Sequence, residues 1–333
     1  MTILAEGSLD NTARQLESTL KLPQNKAMLR SSFQNYSDII QRKADGVRLN
    51  VNTAIFTNQD FPVKKSFQAI SEQSYKVQTT PINFRDPTQA TSLINKYVAQ
   101  ATMNRIATFV TPAFYISRAN GKCPLTLLER AKKVFYDDKN MKIGEVDMMF
   151  QMAPFPYSRL ENINAYAVEL PYGLDRKTSM IVILPFKGES LAGVLNLMSK
   201  VPFSSIVQSL EDSEMEYVDE DILVYLPKFK ISSDFNLNIV LSKIGIKDIF
   251  DYEKANLLGM FDHYLYLSRL IQKAEIEVNE EGTVAAAASG AAIQNKSTPP
   301  VFKANRPFLY FIVDKPTRSI VFAGKVTNPD NLK

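Results

Sequence analysis

The stretch KAEIEVNEEGTVAAAASGAAIQNKSTPP, residues 273–300, carries the most structural information in this chain. Its first part has the period-two pattern of a half-buried β-strand, in which Ala274, Ile276 and Val278 alternate with Lys273, Glu275 and Glu277. From Gly282 to Ile293 there is no charge and no proline, and half of the residues are alanine. Residues 294–300 are polar again and end in two prolines, which favours an exposed, stiff segment.

The uncharged segment that starts at Gly282 has two interpretations. One is a short alanine helix followed by a linker, because alanine has the highest helix propensity. A surface helix would normally display charges and a wider apolar stripe, and this segment has neither. The other is a strand that inserts between strands already paired, where small uncharged side chains avoid burying an unpaired charge. The residues alone support the two interpretations about equally well.

Elsewhere the pattern predicts a mixture of helices and strands. Asp86 starts a helix as its cap, with Pro87 in the first turn. A second helix ends at Gly245 and has one apolar face of Leu237, Val240, Leu241 and Ile244. Four apolar runs predict strands covered on both faces: MIVIL (180–184), ILVYL (222–226), FLYFIV (308–313) and SIVFA (319–323). The fold class is α+β, with antiparallel or mixed sheets.

Length and composition fit a globular chain with a large core, since 45% of its 333 residues are apolar and 22% are charged. The net charge of +4 does not indicate a nucleic-acid partner. No apolar run reaches the roughly eighteen residues of a membrane-spanning helix, so no membrane partner is expected. The start MTILAEGSLDNTARQL has no basic residues followed by a long apolar stretch, so no secretory signal is expected in this sequence.

Few residues are available for catalysis or metal binding. One histidine and one cysteine exclude a Cys/His zinc site and an intrachain disulfide; we interpret His263 as a hydrogen-bonded structural residue and Cys123 as an inert thiol. Glycine spacing excludes the G-x-G-x-x-G and G-x-S-x-G motifs. The acidic run 211–221 lacks calcium-loop spacing and is interpreted as a solvated loop, and the basic cluster 130–133 as a solvated helix face. We expect no metal, no cofactor and no enzymatic activity.

The stretch QKAEIEVNEEGTVAAAASGAA (272–292) resembles the fifth strand of sheet A and the hinge of the serpins, whose pattern is a glutamate-rich strand end, Gly-Thr and a run of alanines. FKANRPFLYFI (302–312) and SIVFAGKVTNP (319–329) are similar to the carboxy-terminal signature of that family. Further segments resemble other serpin elements: EGSLDNTARQL (6–16), LNVNTAIF (49–56), INKYVA (94–99) and YLPKFKISSDFNLNIVLSKIGIKDIF (225–250).

The resemblance implies an α+β fold over one serpin-like domain, residues 1–333, with a large central sheet A, further sheets B and C, surrounding helices and an exposed reactive loop. Residues 280–300 would form the hinge and reactive loop, and residues 301–333 the carboxy-terminal strands. The resemblance begins at the end of helix B, so the sequence resembles an inhibitory serpin that lacks helix A and the start of helix B.

Serpins are suicide inhibitors, and two counts place the bond that a protease would cleave. In serpins, the cleaved bond follows the residue fourteen positions after the hinge glycine, and the residue after the cut lies ten positions before the proline of the signature. The resemblance makes Gly282 the hinge glycine and Pro307 the signature proline. Both counts give Lys296 and Ser297 as the reactive bond. The hinge and inserting residues would be Glu280, Glu281, Gly282, Thr283, Val284, Ala285, Ala286, Ala287 and Ala288.

The basic residue Lys296 indicates a trypsin-like serine protease as the target, because such enzymes carry an acidic residue in the primary pocket. Papain-like cysteine proteases also accept a basic residue at this position and are the alternative target. The alternative function is a non-inhibitory serpin, such as a carrier, a chaperone or an inactive isoform, that is cleaved as a plain substrate. By resemblance we expect a secreted, extracellular monomer, with a cytoplasmic location as the alternative.

Overall fold

The fold is seen in a computed structural model, which describes residues 1–40, 53–101, 131–172, 176–217, 220–278 and 299–328. The chain forms two compact units. Unit 1 comprises Met1–Arg42, Asn50–Ala119 and Ser232–Glu275, and unit 2 comprises Lys43–Leu49, Asn120–Ile231 and Ile276–Lys333. The single domain expected over residues 1–333 stays a prediction.

Helices and strands are mixed along the chain. In chain order, the α-helices of the described residues are α1 (Thr2–Gly7), α2 (Asp10–Leu20), α3 (Lys26–Ile40), α4 (Lys65–Tyr75), α5 (Pro87–Ala101), α6 (Leu191–Met198), α7 (Phe203–Glu216) and α8 (Leu237–Lys243). Their strands are β1 (Ala54–Asn58), β2 (Gln78–Ile82), β3 (Ala131–Tyr136), β4 (Lys142–Ala153), β5 (Tyr157–Leu160), β6 (Ala165–Tyr172), β7 (Thr178–Pro185), β8 (Ile222–Pro227), β9 (Phe229–Asn236), β10 (Ile271–Val278), β11 (Val301–Lys303), β12 (Phe308–Asp314) and β13 (Ser319–Val326).

The strands form antiparallel and mixed sheets, as the sequence predicts. A five-stranded antiparallel sheet has the order β13-β12-β7-β6-β5, and a four-stranded sheet has the order β11-β8-β4-β3, with β11 parallel to β8. Two further sheets have two strands each, the parallel pair β1-β2 and the pair β10-β9. Strand β10, which the resemblance assigns to sheet A, lies in the two-stranded sheet β10-β9 among the described residues.

The core of unit 2 lies on both faces of strand β7, whose residues Met180–Leu184 are almost completely buried. Met180, Val182 and Leu184 face a core cluster shared with the four-stranded sheet. Ile181 and Ile183 face a second cluster that contains residues of helices α6 and α7. Full burial of such side chains stabilises by about 1.5–3 kcal/mol each, so every residue of this run favours the folded state of unit 2. The prediction that MIVIL is a strand covered on both faces is confirmed.

The two carboxy-terminal runs pair as β12 and β13, and a glycine makes their packing possible. Tyr310 lies opposite Gly324 in the antiparallel register and is 2% exposed. A Cβ atom at Gly324 would lie 2.1 Å from the Tyr310 hydroxyl oxygen, closer than any non-bonded contact allows. Burial raises the pKa of Tyr310 because it disfavours the phenolate. The glycine therefore provides the space in which the tyrosine ring crosses the neighbouring strand.

We expect Gly324→Ala to destabilise the protein by about 1–3 kcal/mol, the usual effect of overpacking a filled core. The measurement is the melting temperature, with Gly193→Ala in helix α6 as the control, since a Cβ atom there would lie 3.2 Å from the Oγ atom of exposed Ser190, a tight contact that a small shift of this side chain relieves. Equal melting temperatures for the two variants would contradict this account of the Tyr310 packing.

Unit 1 contains a buried carboxylate that connects three helices. The Glu6 side chain on α1 is 4% exposed, and Arg30 on α3 donates to its Oε1 atom at 2.8 Å. The hydroxyl of Tyr75, the last residue of α4, donates to Glu6 Oε2 at 2.8 Å. Burial, and then the hydrogen bond to Glu6, raise the pKa of Tyr75. Because the buried charge is paired and hydrogen-bonded, it fixes the three helices relative to one another.

Several local predictions are confirmed. Asp86 caps α5, since its Oδ1 atom accepts hydrogen bonds from the backbone N–H groups of Thr88 and Gln89 at 3.1 and 3.0 Å. Gly245 follows α8 and has a φ of +110°, a conformation that favours glycine. None of the helices in the described ranges is long and apolar enough to cross a membrane.

Other local predictions are wrong. The first half of the acidic run 211–221 is the end of helix α7 and not a loop, and Glu211 there pairs with Arg318 at 2.7 Å. Lys132 and Lys133 of the basic cluster lie in strand β3 and not in a helix, and Arg130 lies outside the described residues. Val240 and Ile244, expected on the apolar face of α8, are 49% and 54% exposed. Strands β8 and β13 are not covered on both faces, because Leu223 and Tyr225 of β8 are half-buried and every residue of β13 before Val326 is half-buried or exposed.

Candidate functional site

The candidate site is the segment between strands β10 and β11. On its amino-terminal side, β10 pairs with β9 and ends at Val278. Ile276 and Val278 are 3% and 1% exposed and belong to the main core cluster of unit 2, together with Phe229 and Phe308. The strand predicted from the alternating pattern is confirmed, and its last residues are held by hydrophobic burial.

On the carboxy-terminal side, the chain is fixed by hydrogen bonds to strand β8. The Leu223 N–H donates to the Pro300 carbonyl at 2.9 Å, and the Ala304 N–H donates to the Tyr225 carbonyl at 2.9 Å. Between these bonds β11 runs parallel to β8, with Phe302 buried at 2% exposure. The position of the chain is therefore defined from Pro300 onward.

The signature residues Asn305 and Arg306 extend this attachment. The Tyr136 N–H of β3 donates to the Asn305 carbonyl at 2.9 Å, and Arg306 Nη2 donates to the Pro185 carbonyl at the end of β7 at 2.5 Å. Burial lowers the pKa of Arg306, because removal from water disfavours the guanidinium cation. The carboxy-terminal end of the candidate site thus contacts strands of both large sheets of unit 2.

The residues predicted to carry the function all lie outside the described residues. They are the hinge and inserting residues Glu280, Glu281, Gly282, Thr283, Val284, Ala285, Ala286, Ala287 and Ala288 and the reactive bond Lys296 and Ser297. Cys123 lies outside them as well. His263 is exposed, and its ring packs edge-on against Phe61 with 5.3 Å between ring centroids. Within the described ranges, no three His, Cys, Asp or Glu residues are grouped so that they could hold a metal ion.

Sequence reasoning missed the residues that attach the chain after the site, above all Tyr225 and Arg306. Both lie in stretches that the sequence marks only as an apolar run and as part of a signature. The polar hydroxyl of Tyr225 within ILVYL was the available signal that one face of this strand is not fully covered.

Comparison with known proteins gives one consistent family. The family described as "Serpin (serine protease inhibitor)" matches residues 1–329. The chain is 29% identical to a serine protease inhibitor of Rattus norvegicus, over 99% of this chain and 81% of that protein. It is 30% identical to "Leukocyte elastase inhibitor" of Xenopus tropicalis, over 97% of this chain and 88% of that protein.

A solved structure shows the same fold. The fold is similar to that of the serine protease inhibitor serpin-12 of Manduca sexta, with a TM-score of 0.82 at 22% identity over 99% of this chain and 89% of that one. The predicted fold class is confirmed by this likeness and by the helices and sheets described above. The chain belongs to the serpin family of serine protease inhibitors and has its α+β fold.

Proposed function

We propose that this chain inhibits its target protease as a suicide substrate that is cleaved between Lys296 and Ser297. The observation that carries the proposal is the sequence that follows strand β10. This strand ends with buried Ile276 and Val278, and after the three residues 279–281 an uncharged run of mostly small residues extends from Gly282 to Ile293. A segment of this composition can continue as a strand inside a sheet without burying a charge. Inhibitors of proteases among the relatives support the same conclusion.

The reaction begins as an ordinary proteolysis. The nucleophile of the protease attacks the carbonyl carbon of Lys296, the peptide bond to Ser297 breaks, and Ser297 leaves as a free amine after taking up a proton. The carbonyl of Lys296 then remains bonded to the protease as an acyl-enzyme, so the segment from Gly282 to Lys296 is no longer joined to Ser297 and carries the protease at its new end. Thr283, Ala285, Ala287 and Ser289 lie on one face of the inserted strand, and none of them is charged.

Insertion of this segment provides the free energy that traps the protease. About ten new ladder hydrogen bonds, at roughly 0.5–1.5 kcal/mol each, contribute on the order of 10 kcal/mol. This is comparable to the entire stability of an ordinary domain, so it suffices to displace and distort an attached protease before water attacks the ester. The uncleaved chain must then be kinetically trapped in a state of higher free energy.

The identity of residue 296 supports a trypsin-like target. The lysine ammonium would pair with the acidic residue of the primary pocket of such a protease. A papain-like cysteine protease is the second target class, because it also accepts a basic residue. A serine protease would form an ester with Lys296 and a cysteine protease a thioester, and testing one protease of each class distinguishes the two targets.

The test is to mix the purified chain with trypsin, and separately with cathepsin L, and to resolve the products on a denaturing gel. We expect a covalent complex with trypsin that survives denaturation, and a cleaved form that melts well above the intact chain. Complete cleavage without a complex, and without a rise in melting temperature, would instead identify a non-inhibitory serpin.

A further inference from the structure

Tyr217 presents a phenol hydroxyl at an exposed point directly after helix α7, which ends at Glu216. Its side chain is 50% exposed. The chain is anchored on both sides of it, because the Oγ atom of buried Ser213 donates to the Tyr157 carbonyl at 2.6 Å and Ile222, at the start of β8, is 2% exposed. Tyr217 therefore lies between two fixed residues, at a place where another protein can reach its hydroxyl.

The carboxylates around Tyr217 fall into two groups. Glu211 and Glu214, on α7, are neutralised by ion pairs, with Arg318 Nη2 at 2.7 Å and with Arg176 Nη2 at 3.1 Å. Three carboxylates closer to Tyr217 in sequence are exposed and form no ion pair with the cations of the described residues: Glu216, Glu220 and Asp221. The negative charge next to the phenol is therefore not neutralised within this part of the structure.

The Glu216 carboxylate acts directly on the phenol. Its charge, and then its hydrogen bond with the hydroxyl, raise the pKa of Tyr217, because both disfavour the phenolate. The hydroxyl is therefore protonated at neutral pH. Any reaction in which this oxygen is the nucleophile needs a base, which the enzyme that modifies it must supply.

A second exposed tyrosine, Tyr252, provides a comparison. It is 79% exposed, more than Tyr217. Its neighbours Asp251 and Glu253 are acidic, but Lys254 pairs with Asp251 at 2.9 Å. One unpaired acidic neighbour thus remains at Tyr252, against three at Tyr217. Exposure and charge therefore predict different acceptors on this chain.

We propose that Tyr217 is a modification site, to which a protein-tyrosine sulfotransferase transfers a sulfuryl group from a phosphoadenosine phosphosulfate donor. Because the donor is an anion, the cleft that binds it must be cationic, and a cationic cleft attracts an acceptor surrounded by unpaired carboxylates. A sulfate ester adds one negative charge, whereas a phosphate ester adds nearly two and is repelled more strongly by Glu216 and Glu220. The surroundings of Tyr217 therefore favour the sulfuryl group.

The transfer is a substitution at sulfur. The phenol oxygen forms a bond to the sulfur atom of the donor, and the bond from this sulfur to the phosphate oxygen breaks. The phenol proton passes to a base of the transferase, and phosphoadenosine phosphate leaves with the electron pair of the broken bond, so nothing is oxidised or reduced. Such transferases act on proteins of the secretory pathway, the route expected for this chain by resemblance. The proposal does not depend on protease inhibition.

The test is to incubate the folded chain with a purified protein-tyrosine sulfotransferase and radiolabelled donor, and to locate the product by mass spectrometry of its peptides. We expect a single sulfate per chain, on Tyr217. Tyr217→Phe should lose almost all incorporation, and Tyr252→Phe, the matched control, should keep it. Melting temperatures verify that the variants are folded.

A second pair of variants tests the role of charge. Glu216→Gln combined with Glu220→Gln should slow the transfer at least tenfold, the lower limit for electrostatic focusing of a charged partner. The control combines Glu72→Gln with Glu253→Gln, which removes the same charge at two exposed residues elsewhere, and it should stay within twofold of the wild type.

The absence of incorporation into the folded chain would overturn the proposal, as would sulfate found chiefly on Tyr252. Equal rates for the two double variants would also overturn it, because the charge around Tyr217 would then play no part. A parallel reaction uses ATP and a tyrosine kinase that prefers acidic sequences. Transfer of phosphate to Tyr217 in that reaction, without sulfate in the first, would identify a phosphorylation site and overturn sulfation.

Discussion

Replacing Thr283 with arginine should convert the chain from an inhibitor of trypsin into a plain substrate. Thr283 directly follows the hinge glycine, so it would be among the first side chains to enter the sheet when the cleaved loop inserts. An arginine at this point must be buried without a partner, and burial of an unpaired charge costs several kcal/mol. Each 1.4 kcal/mol added to the barrier slows insertion about tenfold, so water attacks the acyl-enzyme first.

The measured quantity is the fraction of chain found in the covalent complex after complete reaction with trypsin. We expect this fraction to fall at least tenfold in Thr283→Arg, with a matching rise in cleaved free chain. Thr283→Ala is the matched control, because alanine is small and uncharged like the residues that follow it, and it should inhibit as the wild type does. A Thr283→Arg variant that still traps trypsin would show that this segment does not insert.

The strands of unit 2 were predictable because their apolar runs are short, uninterrupted and bounded by turn residues. MIVIL had to be buried on both faces, since any exposed face would leave large apolar side chains in water, and strand β7 is buried in this way. The pairing of Tyr310 with Gly324 was not predictable, because it depends on the register between two strands. The sequence shows which residues belong to each strand, but it does not show which residue of one strand lies opposite which residue of the next.

The positions of charged residues predicted the ends of helices and strands less well than the spacing of apolar residues did. The acidic run after residue 210 predicts a loop, yet helix α7 continues to Glu216, because Ile206, Val207 and Leu210 hold its buried face in place upstream. The lysines at 132 and 133 suggest a helix face, although the strand is defined by its pairing with β4, with Val134 and buried Phe135 in the same strand. In both cases tertiary contacts, and not the local charge, determined the structure.

The candidate site was predictable to a different degree at its two ends. The composition and charge of the segment after Gly282 favoured a helix and an inserting strand equally. Only the resemblance to serpins favoured the strand. The attachment of the chain after the loop depends on β8 and on the Pro185 carbonyl, which are more than 70 residues away in sequence. Contacts of this range follow from the fold as a whole, so no local pattern encodes them.

Lys296→Ala should reduce the rate of trypsin inhibition by about two to three orders of magnitude, since loss of one partner of a buried charge pair costs roughly 2–5 kcal/mol. The effect should appear in the association rate constant, because Lys296 acts in the recognition step before acylation. The melting temperature of the intact chain should not change, since the substitution removes only a loop side chain that serves recognition. Lys296→Arg is the matched control and should inhibit at nearly the wild-type rate, because arginine pairs with the same acidic pocket.

Equal rates for Lys296→Ala and the wild type would place the reactive bond elsewhere in the loop. If Lys296→Ala no longer inhibits trypsin but still inhibits cathepsin L, the two proteases recognise different residues of the loop.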